Sequence, residues 1–353
     1  MDETLKTAIL AGANDDDIEF IILQNILGGT KNAHVEDYFN LNQMTDKDIK
    51  RRFRFKRKDI ERLVSIFRIP QKVEIGKGIT VSGTTALCVL LRRLAYHGGL
   101  EDLCEIFGLS TQNLSKIIHT ISTIIINNCG ELLDNLDDLQ WLNKRKLKYY
   151  AQAVQARGGA ISNCWGFIDG IERQMSTPTK NPDDYYSYRR ECHCLKFQSV
   201  LCPDGIIASL KGPYAADKHN AGIFRLSSLY KQLEAKVIFD KQTFALYGEH
   251  YALMTLVVTP YEGKPLSLTS RQRIFNQSMK YLRAGVEWGF QEVIAIFPFV
   301  DFRKNRKLSM QDLNSLYKVA TLLTNCHTCL YGSRTSTYFR TTPPTLNEYF
   351  GLH

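Results

Sequence analysis

The sequence predicts an α/β protein in which an all-helical region precedes a mixed sheet flanked by helices. Apolar residues recur at helical spacing from Ser82 to Glu131, whereas after Cys164 short apolar runs alternate with turn signals. With 353 residues, 44% of them hydrophobic, the chain can bury a sizeable core. The predicted units are an N-terminal extension at 1–50, a helical domain at 51–157 and an α/β domain at 158–353.

The charge of the chain and the length of its apolar runs favour a protein with a polyanionic partner and argue against a membrane-spanning or secreted protein. The formal net charge of +9 favours a polyanionic partner, although charge alone does not separate nucleic acid from a membrane surface. The longest apolar runs, at residues 121–126 and 252–258, are far shorter than the roughly 20 residues that span a bilayer, so no membrane span is expected. The acidic start lacks the pattern of a signal peptide, and a nuclear or cytosolic protein is expected.

The nine cysteines are odd in number and scattered in apolar contexts, which predicts reduced thiols and no disulfide framework. The Cys-His-Cys run at 192–194 and the Cys-His-Thr-Cys run at 326–329 could together supply zinc ligands. The first run lacks CxxC spacing and the second lies in a helical pattern. A zinc-dependent interaction module is therefore kept only as an alternative, to be tested by stoichiometric zinc.

A basic segment lies near the start of the predicted helical domain. Eight of the twelve residues from Lys47 to Lys58 are Lys or Arg, interleaved with Phe53 and Phe55. Such a segment can lie along a phosphate backbone, and a solvated helix face is the equal alternative. The candidate DNA contacts are Arg51, Arg52 and Arg54.

The helical domain contains a predicted helix-turn-helix. Ser82 is expected to cap a helix from Thr84 to Tyr96, a second helix from Leu100 to Phe107 ends at Gly108, and Ser110 caps a third. A short helix, a glycine turn and a second helix are typical of DNA-binding helix-turn-helix units, and also occur in helical domains that bind nothing. The candidate DNA contacts are Gln112, Asn113 and Lys116.

Three strands in a meander, a helix and a fourth strand are predicted next. Their ranges are 164–168, 195–201, 206–210, 221–233 and 243–246. This is the opening order of the RNase H-like fold. Asp169 follows the first strand and Glu249 follows the fourth, which should be its neighbour in the sheet.

A later helix, from Ser270 to Phe290, is predicted to supply a third acid. Its apolar stripe contains Phe275, Met279, Leu282, Val286 and Phe290. The stripe beside it contains Asn276, Lys280, Arg283 and Glu287. A helix docked by its apolar stripe would present Glu287 to metal, and Lys280 and Arg283 to substrate phosphates. Asn276 is a further candidate DNA contact.

Asp169, Glu249 and Glu287 are the predicted catalytic acids. Two divalent ions can activate the nucleophile and stabilise the leaving oxygen when a phosphodiester is cleaved, and Mg²⁺ requires oxygen ligands. Three carboxylates from separate elements would meet that need. The plainer alternative is that Arg283 and Glu287 form an ordinary i,i+4 pair and that Asp169 is a turn residue.

The motifs at 165–170 (Trp-Gly-Phe-Ile-Asp-Gly), 247–249 (Tyr-Gly-Glu) and 283–288 (Arg-Ala-Gly-Val-Glu-Trp) resemble those of the PIF/Harbinger DDE-type transposases and the nucleases derived from them. The likeness runs from about Phe53 to the Pro-Pro-Thr-Leu segment at 343–346. It implies an RNase H-like nuclease that acts on double-stranded DNA with Mg²⁺ or Mn²⁺, in the nucleus, beside a Myb-like DNA-binding partner protein. A homo-oligomer is left open.

The chain departs from the family pattern in four places. Glu249 replaces the usual aspartate, the loop at 250–253 is one residue short, Asn220 stands where an aspartate is common, and Ile171 replaces a smaller residue. Glutamate moves the carboxylate by roughly 1.5 Å, a displacement to which a metal pair is sensitive. The alternative function is therefore a catalytically inactive, transposase-derived DNA-binding or scaffold protein.

Overall fold

The computed structural model describes residues 39–76, 79–178, 180–239, 242–251, 255–264, 267–301 and 310–352. Most of the predicted N-terminal extension, residues 1–38, lies outside this part of the chain, as does part of the short loop after Glu249.

The N-terminal region is helical, as predicted. Its helices are α1 (Asp46–Phe53), α2 (Arg57–Ile66), α3 (Gly83–Ala95), α4 (Glu101–Phe107), α5 (Thr111–Cys129), α6 (Glu131–Asp134) and α7 (Lys144–Ala156). Ser82 and Ser110 cap α3 and α5, and Gly108 ends α4 in the left-handed conformation with φ 63°. The helix, glycine turn and helix are therefore present. A hairpin of β1 (Lys72–Gly76) and β2 (Ile79–Ser82) was not predicted.

A six-stranded mixed sheet forms the centre of the α/β region. Its strands are β3 (Cys164–Gln174), β4 (Tyr186–Ser187), β5 (Cys192–Leu201), β6 (Ile207–Tyr214), β9 (Ala245–Tyr247) and β10 (Val257–Val258). A separate small hairpin joins β7 (Ile238–Phe239) to β8 (Gln242–Thr243). Strand β3 pairs antiparallel with β5 and parallel with β9, and β5 pairs antiparallel with β6. This pairing is consistent with an RNase H-like domain, and the predicted adjacency of the first and fourth strands is confirmed.

Two element boundaries were wrong. The first strand does not end before Asp169, because β3 continues to Gln174 opposite Cys194. Its polar end is buried there, since Glu172 pairs with Arg189 at 3.1 Å and Arg190 at 3.0 Å.

The helix predicted at 221–233 is divided into α8 (Asn220–Leu226) and α9 (Leu229–Val237). The break is at Ser227, which is extended. Its hydroxyl donates to the carbonyl of Phe224, offering the backbone a local alternative to a continuous helix.

Helices cover both faces of the sheet. The last four are α10 (Ser270–Ile296), α11 (Met310–Tyr331), α12 (Arg334–Phe339) and α13 (Leu346–Phe350). On one face, Phe167 and Tyr247 join a core shared with α10 and α11; on the other, Trp165 and Leu246 join a core shared with α7 and α9. The consecutive residues Leu246 and Tyr247 of β9 therefore enter different cores, as expected for a sheet buried on both sides. In β3, Trp165 and Phe167 enter different cores because the strand register shifts between Cys164 and Gly166.

The first of these cores also contains residues of α1, α3 and α5, including Phe53, Leu90 and Ile121. The helical region thus packs directly onto the last helices of the chain, and the boundary at residue 157 stays a prediction.

All nine cysteines are free thiols. None of the helices in the described ranges combines the length and apolarity that a bilayer crossing needs.

His327 gives the fold a pH dependence. Burial, together with Lys50 and Arg54 of the α1 region, lowers the pKa of His327 to about 4. The folded protein holds the ring neutral. The contribution of the neutral ring to the free energy of unfolding is therefore fully present above the unfolded pKa of 6.5, and it is lost as pH falls towards 4. We expect a loss of about 3 kcal/mol over this window.

Urea unfolding of the wild type and of His327→Gln between pH 4 and pH 7.5 checks this expectation. The variant should lack most of the loss below pH 6.5. Equal pH profiles for the two proteins would contradict it.

Candidate active site

Strand β3 places Asp169 beside the point where β9 ends. Phe167 pairs with Tyr247 in parallel register, so continuing this register by two residues brings Glu249 alongside Asp169. Asp169 lies opposite Ser199 of β5, and its carboxylate accepts a hydrogen bond from the backbone N–H of Gly170 at 2.8 Å. The two acids therefore lie beside each other, where β9 has ended and β3 continues.

Gly248 allows the chain after β9 to approach β3 closely. A Cβ atom there would lie 2.8 Å from the carbonyl oxygen of Ile168 and 2.5 Å from the Cγ2 atom of the same residue. A larger residue at 248 would push the two strand ends apart. His250 then turns the chain with φ 63°, which fixes where Glu249 leaves the sheet.

Helix α10 brings Glu287 to the same place. The helix starts at a capping box made by Thr269 and Gln272, and Met279, Leu282 and Val286 are buried, as the predicted apolar stripe requires. Arg283 and Glu287 lie one turn apart on the side of α10 that faces Asp169.

The guanidinium of Arg283 contacts all three acids. Its Nη2 lies 3.2 Å from Asp169 Oδ2, its Nη1 contacts Glu249 Oε2, and its Nε lies 3.5 Å from Glu287 Oε1. The structure therefore brings Asp169, Glu249 and Glu287 together around one side chain. The i,i+4 pair of Arg283 and Glu287 is present too, as one contact of this larger cluster.

The cluster is negatively charged and partly buried. Burial raises the pKa of Asp169, and the charge of Glu287 adds to this rise. Arg283, the Gly170 N–H and His250 act in the opposite direction. Because one guanidinium balances one of three carboxylates, the ionised cluster still attracts further cations.

The donor chemistry of these acids suits a divalent cation. All three side chains offer hard carboxylate oxygens, the ligands that Mg²⁺ and Mn²⁺ accept. In the described ranges, however, no three His, Cys, Asp or Glu side chains are placed to hold an ion directly. The cation that these three carboxylates share in this structure is the guanidinium of Arg283.

Other predicted contacts on α10 have different surroundings. Lys280 is exposed. The Asn276 amide accepts from the backbone N–H of Tyr261 and donates to its carbonyl, both at 2.9 Å, and so fixes the chain before α10. Phosphate contacts by Lys280, Arg283 and Asn276 stay predictions.

At the start of α5, Gln112 and Lys116 are exposed and Asn113 is half-buried. The Lys116 amine lies near Gly76 of the unpredicted hairpin, 3.8 Å from the position of a Cβ atom there. The hairpin and the helix start thus form one surface, and its contact with DNA stays a prediction.

The three arginines of the basic segment that are candidate DNA contacts differ in their surroundings. Arg51 is exposed and pairs with Asp48 at 2.8 Å, and Arg52 is half-buried. Arg54 instead donates to the carbonyls of Ile296 and Ala95, at 3.0 and 3.3 Å. These bonds tie α1 to the ends of α3 and α10, so the structure gives Arg54 a positioning role.

Three polar residues beside the acids were not predicted as site residues. Gln198 is buried opposite Gly170 and donates to the Tyr251 hydroxyl at 3.3 Å and to the Asn220 carbonyl at 3.4 Å. The Asn220 side chain lies against Gly170, where a Cβ atom would be 2.2 Å from its Oδ1. The signal in the sequence was a glutamine directly after Phe197, in a strand that also contains His193, Lys196 and Ser199.

Residues 168–325 match the profile of a family described as DDE superfamily endonuclease. The chain is also 24% identical over 234 residues to Protein ALP1-like of Arabidopsis thaliana, covering 61% of this chain and 55% of that protein. The chain thus spans about half the length of the curated relative it matches. No solved structure matches the chain.

Proposed function

Since the chain carries a DDE superfamily endonuclease domain of Harbinger type, as its motifs predicted, we propose that it is a divalent-metal-dependent DNA endonuclease or transposase. Asp169, Glu249 and Glu287 are the proposed metal ligands, and double-stranded DNA is the proposed substrate. Nuclear location and a Myb-like partner belong to the same proposal.

The observation that carries the proposal is the meeting of three acids from three separate elements. Asp169 lies on β3, Glu249 follows β9 and Glu287 lies on α10, and one guanidinium contacts all of them. Three carboxylates around one guanidinium leave two negative charges unbalanced in a partly buried cluster, an arrangement that does not favour folding by itself. A need to bind cations is the better physical reason.

Bound Mg²⁺ or Mn²⁺ would lower the pKa of an attacking water and stabilise the leaving oxygen. The protein's own task is to hold the carboxylates in place. Asp169 is fixed within a strand paired on both sides at Phe167, and Glu287 by the buried stripe of α10. Water or a DNA 3′-hydroxyl is the proposed nucleophile.

Arg283 has two kinds of anionic partner in this proposal: the three acids when metal is absent, and a DNA phosphate when metal is bound. Without metal its guanidinium reduces the repulsion among the acids. Metal ions would displace it, and a DNA phosphate is the anion that could then receive it, with Lys280 one turn earlier on the exposed face of α10. The long, flexible arginine side chain permits this exchange without a change in the helix.

The test is cleavage of supercoiled plasmid by the purified protein after chelation of its metals. We expect nicking with added Mg²⁺ or Mn²⁺ and none in EDTA. Metal binding by the protein alone should be measurable by calorimetry. A protein that binds neither ion would exclude the metal mechanism.

A second candidate is a catalytically inactive DNA-binding or scaffold protein. It is favoured by the same arginine, because Arg283 already supplies each acid with a cationic partner. This candidate predicts salt-dependent DNA binding that is unchanged by loss of Asp169 or Glu287. Metal-dependent cleavage would exclude it.

A further inference from the structure

A cavity of about 670 Å³ lies between α10 and α12. Its walls include the aromatic rings of Trp288, Tyr331 and Tyr338, together with Arg334 and Glu292. Trp288 follows Glu287 directly in α10, so the cavity opens on the face of the helix beside the one that carries the acid. The rings of Trp288 and Tyr338 are perpendicular, with their centroids 5.7 Å apart.

The walls of this cavity are fixed by contacts between the two helices. Gly285 lets α12 approach, since a Cβ atom there would lie 2.6 Å from the Tyr338 ring. Thr335 donates to the Gly285 carbonyl at 2.9 Å. The Glu292 carboxylate accepts from the backbone N–H of Arg334 at the start of α12. Trp288 and Tyr338 are therefore held in place by more than their own contact.

Cations continue the surface in both directions. On one side the amines of Lys50 and Lys56 lie 4.9 and 5.7 Å from the centroid of the Tyr331 ring. These lysines belong to the basic segment of the sequence. Each amine is attracted to the face of the ring and keeps a positive charge that attracts phosphate.

On the other side, the Arg157 guanidinium lies 5.1 Å from the centroid of the Tyr338 ring. Arg157 also lines a second cavity of about 350 Å³, together with Tyr149 and Arg340. The two cavities are thus joined through one cation–ring pair. We name the surface formed by Lys50, Lys56, Tyr331, Arg334, Trp288, Tyr338, Arg157, Arg340 and Tyr149 the aromatic–basic track.

We propose that the aromatic–basic track binds unpaired nucleotides of a DNA strand that leaves the acid cluster, with Trp288 stacking on a base. The inference rests on the proposed function, because it takes DNA as the ligand. Alternating rings and cations fit single strands, whose bases offer a flat face and whose phosphates repeat along the chain. A duplex keeps its bases stacked internally, so it would use the cations and leave the rings without partners.

The tryptophan distribution allows a direct test. Trp288 is 39% exposed, whereas Trp141 and Trp165 are 8% and 0% exposed. Titration with a short thymidine oligonucleotide in EDTA, which prevents cleavage, should quench the intrinsic fluorescence. A matched oligonucleotide with abasic sites should quench far less and bind about tenfold more weakly, the scale of one base stack.

Trp288→Ala should weaken binding of the thymidine strand about tenfold and remove the difference between the two oligonucleotides. Trp288→Phe keeps a ring and should retain the difference. Arg334→Gln should lower the slope of log affinity against log salt by about 0.7 without removing it.

Equal affinity of the wild type for the base-containing and abasic strands would overturn the inference. Tighter binding of duplex than of single strand, weakened to the same degree by Trp288→Ala, would also overturn it. So would a track that binds peptides and no oligonucleotide. A wild-type protein that shows base-dependent binding in EDTA but no cleavage with added metal would refute the proposed function alone. The failure of the inference and the failure of the proposed function are therefore distinguishable.

Discussion

Replacing Asp169 with asparagine should abolish metal-dependent cleavage, with a loss on the order of 10³-fold or more. The substitution keeps the size of the side chain and its place opposite Ser199. It removes one negative charge from a cluster in which Arg283 is shared among three acids. Because an amide oxygen carries no charge and would hold a divalent ion more weakly than a carboxylate, the change should affect metal binding more than folding.

The measurement is single-turnover nicking of supercoiled plasmid with Mn²⁺, beside DNA binding in EDTA. Binding should be unchanged in the variant. Asp183→Asn, which alters an exposed acid in the turn before β4, is the matched control and should cleave as the wild type does. Cleavage by Asp169→Asn at more than a tenth of the wild-type rate would remove Asp169 from the proposed mechanism.

Local signals in the sequence predicted much of this structure. The serine caps of α3 and α5 and the glycine that ends α4 each depend on a few neighbouring residues, and all were found as predicted. The stripe of α10 was found because its apolar residues repeat with the helical period. The match of residues 168–325 to the DDE superfamily endonuclease family agrees with the family that the sequence motifs indicated.

What the sequence did not predict depends on partners distant along the chain. The first strand was predicted to end before Asp169 because its apolar run stops there, and the ion pairs of Glu172 with Arg189 and Arg190 join its polar continuation to distant partners. Arg283 was predicted to meet phosphate from its place on the helix. Its contacts with Asp169 and Glu249 arise from tertiary packing, which no local pattern encodes.

Replacing Arg283 with glutamine should destabilise the metal-free protein by about 2 kcal/mol. Removing one partner of a buried pair costs roughly 3–5 kcal/mol, and this guanidinium is 25% exposed, so a smaller value is expected. The cost arises because three carboxylates would then face one another without a cation. Divalent ions should reverse it, since an ion at a hundredfold excess over its dissociation constant stabilises a protein by about 2.7 kcal/mol.

Thermal unfolding of chelated protein with and without Mn²⁺ measures both effects. The rise in melting temperature caused by Mn²⁺ should be larger in Arg283→Gln than in the wild type, where the ion must first displace the guanidinium. Arg271→Gln, an exposed change near the start of α10, should behave as the wild type does. If Mn²⁺ leaves the melting temperature of Arg283→Gln unchanged, the three acids do not hold a cation, and the scaffold candidate becomes the better account of the chain.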